Sequence, residues 1–320
     1  MKNSEDARIS KNVILVSFCN LNSPESPRLA VFEPLSNSLF PLEVPNVFPV
    51  CKGITGLAAS DESIYVTSQH STICPNGLLL VFKRKDFSLV HIYRFQRVKD
   101  AHSLCWSNNR LLVVSTGTNE IIEIQLNSGE VTSEIAIWRP DGVCSSCDTY
   151  HLNAICDTSG GLVVSAFGKK LGDSWESVKR GFLYNLTQGE VLCSGLFHPH
   201  SVNELEQGKL IFCESQKGTV QILNGTQSPD LRGYSRGLCK VGENLFVGIS
   251  MRRQISRSSG RPIGDGAHVD KGATRCAIAN LSARTLRVLS TYYIPLESCE
   301  IYDLLPIEYG MDWPLPRAIF

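Results

Sequence analysis

The chain has 320 residues, with 31 Lys and Arg against 31 Asp and Glu, so its formal net charge is zero. That balance argues against a nucleic-acid binder, which needs a basic face to displace counterions. No apolar run approaches the ~20 residues of a membrane helix, and Glu5 and Asp6 precede an apolar segment too short for a secretory leader, so a cytoplasmic protein is expected.

In chain order, residues 1–11 are polar and expected to fray. Residues 12–19 (NVILVSFC) form an apolar strand with no partner of its own nearby. Six prolines punctuate residues 24–49, which leaves short strands at 29–33 and 38–42. A weak repeat then begins. Residues 53–68 (GITGLAASDESIYVTS), 102–117 (HSLCWSNNRLLVVSTG), 151–168 (HLNAICDTSGGLVVSAFG) and 236–250 (RGLCKVGENLFVGIS) share one order: a short apolar strand, a polar turn, then an apolar strand. The fullest copy is 200–224 (HSVNELEQGKLIFCESQKGTVQILN), which reads as three strands joined by Gly-bearing turns. Gly117-Thr118-Asn119 and residues 127–130 read as hairpin turns. Residues 300–305 (EIYDLL) open a sixth copy and lack its second half.

A single meander cannot bury its faces. Repeats of this length predict an all-β, six-bladed β-propeller over residues 12–320, a single domain closed by pairing of the N- and C-terminal segments. The blades carry two polar insertions, 169–180 and 252–271. The second is Arg-rich and suits either a lid for an anionic substrate or a solvated loop.

The twelve cysteines are mostly in apolar, strand-like surroundings and read as small buried hydrophobes. Cys144 and Cys147 form a C-x-x-C without a second pair, which suits incidental loop cysteines better than a metal or redox site.

In a propeller the innermost strands line a central channel. Their openings carry Thr55, His102, His151 with Asn153, His200 with Ser201, Arg236 and Glu300. The expectation is a site at the channel mouth acting on a small, anionic substrate. His102, His151, His200 and Glu300 would hold a divalent metal (Fe, Mn or Zn). Without metal, the histidines would act as general acid and base. Arg236 would clamp the anion, with Asn153, Ser201 and His198 as further substrate-binding groups. A slip of register would put Leu152 or Asn153 in the place of His151. Trp175 and Asp173 could pack over the same mouth. A metal-dependent hydrolase, lyase or oxygenase is one reading. A non-enzymatic propeller binding a metabolite or peptide is another, and a solvated scaffold a third. Phosphate-loop, dinucleotide-loop, H-E-x-x-H and nucleophile-elbow motifs do not occur.

The stretches HSLCW, HLNAIC, GLFHPHS, GYSRG and NLFVGIS, with EIYDLLP near the end, resemble an uncharacterised bacterial family described as conserved hypothetical proteins or a domain of unknown function. The resemblance implies a six-bladed propeller of the broad group that includes gluconolactonase-like and strictosidine-synthase-like proteins. Members keep an H-D at the second opening, where this chain has His102-Ser103. The calcium site of gluconolactonase-like enzymes uses Glu, Asn and Asp oxygens, and this histidine-rich mouth departs from it.

Overall fold

The computed structural model describes residues 12–21, 26–44, 53–68, 74, 76–127, 129–142, 147–171, 175, 179–251, 276–296, 300–308, 313 and 318. Its strands form six antiparallel sheets arranged as the six blades of a propeller. Blades 1 to 5 begin with inner strands Ile54–Ala59, Ala101–Ser107, Leu152–Thr158, Pro199–Glu206 and Tyr234–Val241. The inner strand of blade 6 is Glu300–Glu308, which pairs antiparallel with Asn12–Cys19 from the other end of the chain. Leu29–Glu33 and Ser38–Leu42 complete that blade. Pro41, which has no N–H for a ladder, sits on its outermost strand, as an edge strand allows.

The burial pattern follows from the blade geometry. Strands in the middle of a blade are covered on both faces by neighbouring blades, so Asn12–Cys19 is buried at every position after the first. Outer strands alternate, as Leu89–Arg94 does. Six apolar clusters fill the six gaps between adjacent blades. One joins Leu15, Leu29 and Val31 of blade 6 to Ile54 and Val66 of blade 1. Another joins Phe18 and Phe32 of blade 6 to Phe246 and Ile278 of blade 5. Blade 6, built from both chain ends, is therefore gripped on both sides. Near the C-terminus Trp313 packs on Phe87, and its indole N–H donates to the Arg84 carbonyl at 2.8 Å.

Two local features follow the sequence reading and add detail to it. Blade 4, read as three strands, has three where the others have four. Residues 226–231 lie along its outer edge with intermittent hydrogen bonds: Ser228 N–H to the Val220 carbonyl and Leu231 N–H to the Gly218 carbonyl, each 2.8 Å. Pro229 between them has no N–H to extend the ladder. The turn expected at 117–119 is a 3-10 turn over Thr116–Thr118, closed by Asn119 in the left-handed region at φ 53°. The Asn119 side chain then accepts from the N–H groups of Thr149 and Tyr150 and donates to the Cys147 carbonyl, which ties down the approach to blade 3.

Among the described cysteines, Cys19, Cys74, Cys105, Cys213, Cys239 and Cys276 are buried, Cys156 and Cys193 are half-buried, and Cys147 is exposed. Residues 1–11, Cys51, His70, Cys144, Asp173, the insertion 252–271 and His268 lie outside the described residues. No described helix is long and apolar enough to cross a membrane.

Candidate functional site in the central channel

Backbone hydrogen bonds fix how the inner strands align. Thr116, Phe167 and Ser215 each donate a backbone N–H, at 3.2 Å, to the carbonyls of Asp100, His151 and His198 respectively. These three are therefore equivalent, and all three have positive φ, between 50° and 54°. The residue two positions later in each blade returns a side-chain bond to the same carbonyl. His102 Nδ1 lies 3.0 Å from the Asp100 carbonyl, Asn153 Nδ2 2.9 Å from that of His151, and His200 Nδ1 3.0 Å from that of His198. Hydroxyls continue the pattern between blades: Thr116 donates to the Leu152 carbonyl, Ser215 to that of Ser235 and Ser250 to that of Ile301.

One ring of equivalent positions follows: Thr55, His102, Asn153, His200, Arg236 and Tyr302. Each is at most 9% exposed. A second tier, two residues earlier in the chain, contains Asp100, His151, His198, Tyr234 and Glu300. Two residues of strand span about 6–7 Å. His151 and Glu300 thus belong to a different level from His102 and His200, and the equivalent ring residues are Asn153 and Tyr302. A cavity of about 380 Å³ starts at the ring and runs along the inner strands to Trp106, Cys156, Lys240 and Pro306. Lys240 and Pro306 are exposed, so the cavity reaches solvent at that end, away from the second tier.

The positions just after the ring are small where strands crowd. A Cβ on Gly56 would lie 2.8 Å from the backbone of Ser103 and Leu104. Gly237, at φ 73°, is bonded through its N–H to Ser201 Oγ at 2.9 Å. Ser201 lines the cavity and fastens blade 4 to blade 5. Asp303 does the same between blades 6 and 1, accepting the Leu57 N–H at 3.1 Å.

The ring's electrostatics are specific. Ser215 Oγ commits its hydrogen to the Ser235 carbonyl at 2.5 Å, so it accepts from His200 Nδ1 at 2.8 Å. Nδ1 therefore carries the proton, and Nε2 is a lone-pair acceptor. His102, bonded through Nδ1 to a carbonyl, has the same tautomer. Burial, with His151 and Arg236 nearby, holds the His102 pKa down to about 4. Burial and Arg236 hold that of His200 well below the ordinary histidine range. Both are neutral at neutral pH. The Arg236 guanidinium lies between the Tyr302 and Tyr234 rings, 4.6 and 5.1 Å from their centroids. Its Nη1 is 3.8 Å from Glu300 Oε2, an ion pair without the short bidentate fork. Four buried side-chain atoms of the ring have no hydrogen-bond partner: His200 Nε2, Asn153 Oδ1, Arg236 Nε and Tyr302 Oη.

The second tier is structural in its contacts. His198 stacks on Phe167 at 4.0 Å, and its Nε2 donates to the Trp175 carbonyl at 2.9 Å. Trp175, from the 169–180 insertion, packs on His151 at 4.9 Å and so lies on this tier. Asp148 accepts from both the backbone N–H and Nδ1 of His151, at 2.8 and 2.5 Å, which orients the imidazole. Glu300 accepts from Asn20 Nδ2 at 2.9 Å.

The expected metal ligands His102, His151, His200 and Glu300 are split between the two tiers. Among the described residues no group of three or more His, Cys, Asp or Glu side chains is arranged to hold a metal ion. The His102 and His151 rings nevertheless meet edge to face, with centroids 5.0 Å apart. Tyr302, Asp303 and Asp148 were not singled out in the sequence. Tyr302 follows Glu300 by the same two-residue step that separates His198 from His200, and the D-x-x-H spacing of Asp148 and His151 was a readable signal.

No curated protein matches the chain by sequence. Solved structures share its fold. One, from a nidogen–laminin complex, superposes with a TM-score of 0.61 at 11% identity over 93% of this chain and 99% of its own. A protein of unknown function from Bacteroides caccae gives 0.59 at 12% identity over 94% and 100%. A luciferin-regenerating enzyme gives 0.53 at 17% identity over 77% of both chains. At these identities the likeness is one of architecture. A family model matches residues 51–311, which takes in blades 1 to 5 and the inner strand of blade 6. The chain therefore belongs to the family described as domain of unknown function DUF4915.

Proposed function

We propose that the channel binds a small organic anion, with Arg236 as the residue that holds it. The observation that carries this is the set of buried, unpartnered polar atoms on four ring residues, all lining one cavity. A buried polar group without a partner costs about 1–3 kcal/mol, and a bound molecule that supplies the partners recovers that cost. Arg236 is the cation among these residues. Its loose approach to Glu300 leaves Nε available to a carboxylate or phosphate. Lys240 at the exposed end adds positive charge on the way in.

The test is a thermal-shift screen of small carboxylates and phosphate monoesters, followed by calorimetry on each hit with wild type and Arg236→Gln. Removing one partner of a desolvated charge pair costs about 2–5 kcal/mol, so the variant should lose at least thirtyfold in affinity. Hits that bind the variant equally well contradict the reading.

A catalytic role rests on Asp303. Its carboxyl lines the same cavity, and burial pushes its pKa up to about 7, the range of a general acid–base group. On this reading Asp303 carries a proton to or from the bound anion. If a turnover is found for any ligand, Asp303→Asn should abolish the limb of the pH–rate profile near neutrality. An unchanged profile removes Asp303 from the chemistry.

A further inference from the structure

The ring is polarised. Around the channel, His102, Asn153 and His200 come from consecutive blades 2, 3 and 4, and Arg236 and Tyr302 from blades 5 and 6. The first three are acceptors. The Nδ1 bonds of His102 and His200 to carbonyls assign their protons and make each Nε2 a lone pair. Asn153 donates its amide to the His151 carbonyl, which makes Oδ1 the remaining atom. The other two are donors. Arg236 has only N–H groups, and Tyr302, whose pKa burial raises well above the ordinary value, keeps its hydroxyl proton. Thr55 of blade 1 is already engaged, donating to the Ala101 carbonyl at 2.7 Å. A simple carboxylate satisfies Arg236 and Tyr302 and leaves Asn153 Oδ1 and His200 Nε2 buried without partners. A primary ammonium has three hydrogens for three acceptors, whereas a hydroxyl has one.

We propose that the ligand is zwitterionic, a small amino acid whose carboxylate meets Arg236 and Tyr302 while its ammonium is held by His102, Asn153 and His200. This rests on the anion-binding reading above and adds a second recognition point to it. Neutral imidazoles are suited to that role, since a protonated one would repel the ammonium.

The test is calorimetry on the full chain with each of the twenty common amino acids. Every binder is compared with its des-amino acid, its 2-hydroxy acid and its decarboxylated amine. The expected order is amino acid, then hydroxy acid, then des-amino acid at least tenfold weaker than the first, with no binding of the amine. Asn153→Leu should erase the preference for the amino acid over its des-amino acid. Asn153→Asp, which adds charge at the acceptor side, should tighten amino-acid binding only. Thermal melts establish that each variant is folded, and either variant alone suffices. A des-amino acid that binds as tightly as its amino acid overturns the zwitterion and leaves the anion site standing. If neither amino acids nor their des-amino analogues bind, the zwitterion falls, and the anion site stands or falls separately by the screen of carboxylates and phosphate monoesters.

Discussion

His200 shows how one side chain in the channel is defined by its neighbours. Its Nδ1 proton is shared between a carbonyl and Ser215, whose own hydrogen is already committed to blade 5. Ser215→Ala removes that acceptor and the link between blades, and should cost about 1–3 kcal/mol of stability, measured by urea denaturation. Protonation gives a second prediction. The folded pKa of His102, about 4, lies below its ordinary 6.5. His200 is depressed in the same direction. As pH falls below 6.5 the unfolded chain takes up protons that the folded chain refuses, so the stability these groups contribute at neutral pH is lost toward pH 4. Asp303 acts in the opposite sense. Its folded pKa of about 7 exceeds the ordinary 3.8, so its contribution is present at low pH and lost as pH rises through about 7. Asp303→Asn should therefore make the fall in stability between pH 7 and pH 4 steeper than in wild type. Equal slopes in a series of urea midpoints would show that Asp303 ionises normally.

At the scale of the element, the inner strands carry the site, and each is bent at the ring by a bulge that lets the residue after it approach the next strand. Gly237 is such a position, with φ 73° and the Asp303 and Leu304 backbone 3.1 Å from where a Cβ would stand. Gly237→Ala should lower stability by about 1–3 kcal/mol through backbone strain, read as a lowered urea midpoint. The strands themselves were legible from apolar runs between Gly-bearing turns, and 12–19, 29–33 and 38–42 fall where their patterns place them. The ring register was legible in part. His102, His200 and Arg236 are on one level, but the similarity of HSLC and HLNA draws His151 into line with His102, and the structure places Asn153 there. What decides the matter is which backbone carbonyl meets which N–H, and that information is spread over residues with no shared side-chain type. The same limit hid Tyr302 behind Glu300, because a charged residue at a strand opening draws more attention than a tyrosine inside it.

For the whole molecule, closure is the structural event on which the ring depends. Blade 6 joins the two ends of the chain and packs on blades 5 and 1. Phe32 is fully buried there, 6.3 Å from Phe246 and 5.2 Å from Tyr292 of blade 5. Phe32→Ala should cost about 3–5 kcal/mol and lower the denaturation midpoint of the whole propeller, not of blade 6 alone. Independent unfolding of blade 6 would show that the ring is not closed cooperatively. The closure itself could be read from a strand without a second half at one end and a strand without a first half at the other.

The convergence of blades 2, 4 and 5 on one ring is tested most directly by nitrogen NMR titration of the histidine side chains in wild type and Arg236→Gln. The account predicts neutral His102 and His200, both protonated on Nδ1 at pH 7, with pKa values below 6.5 that both rise when the guanidinium is removed. Histidines that titrate near 6.5 and do not respond to the substitution would contradict it.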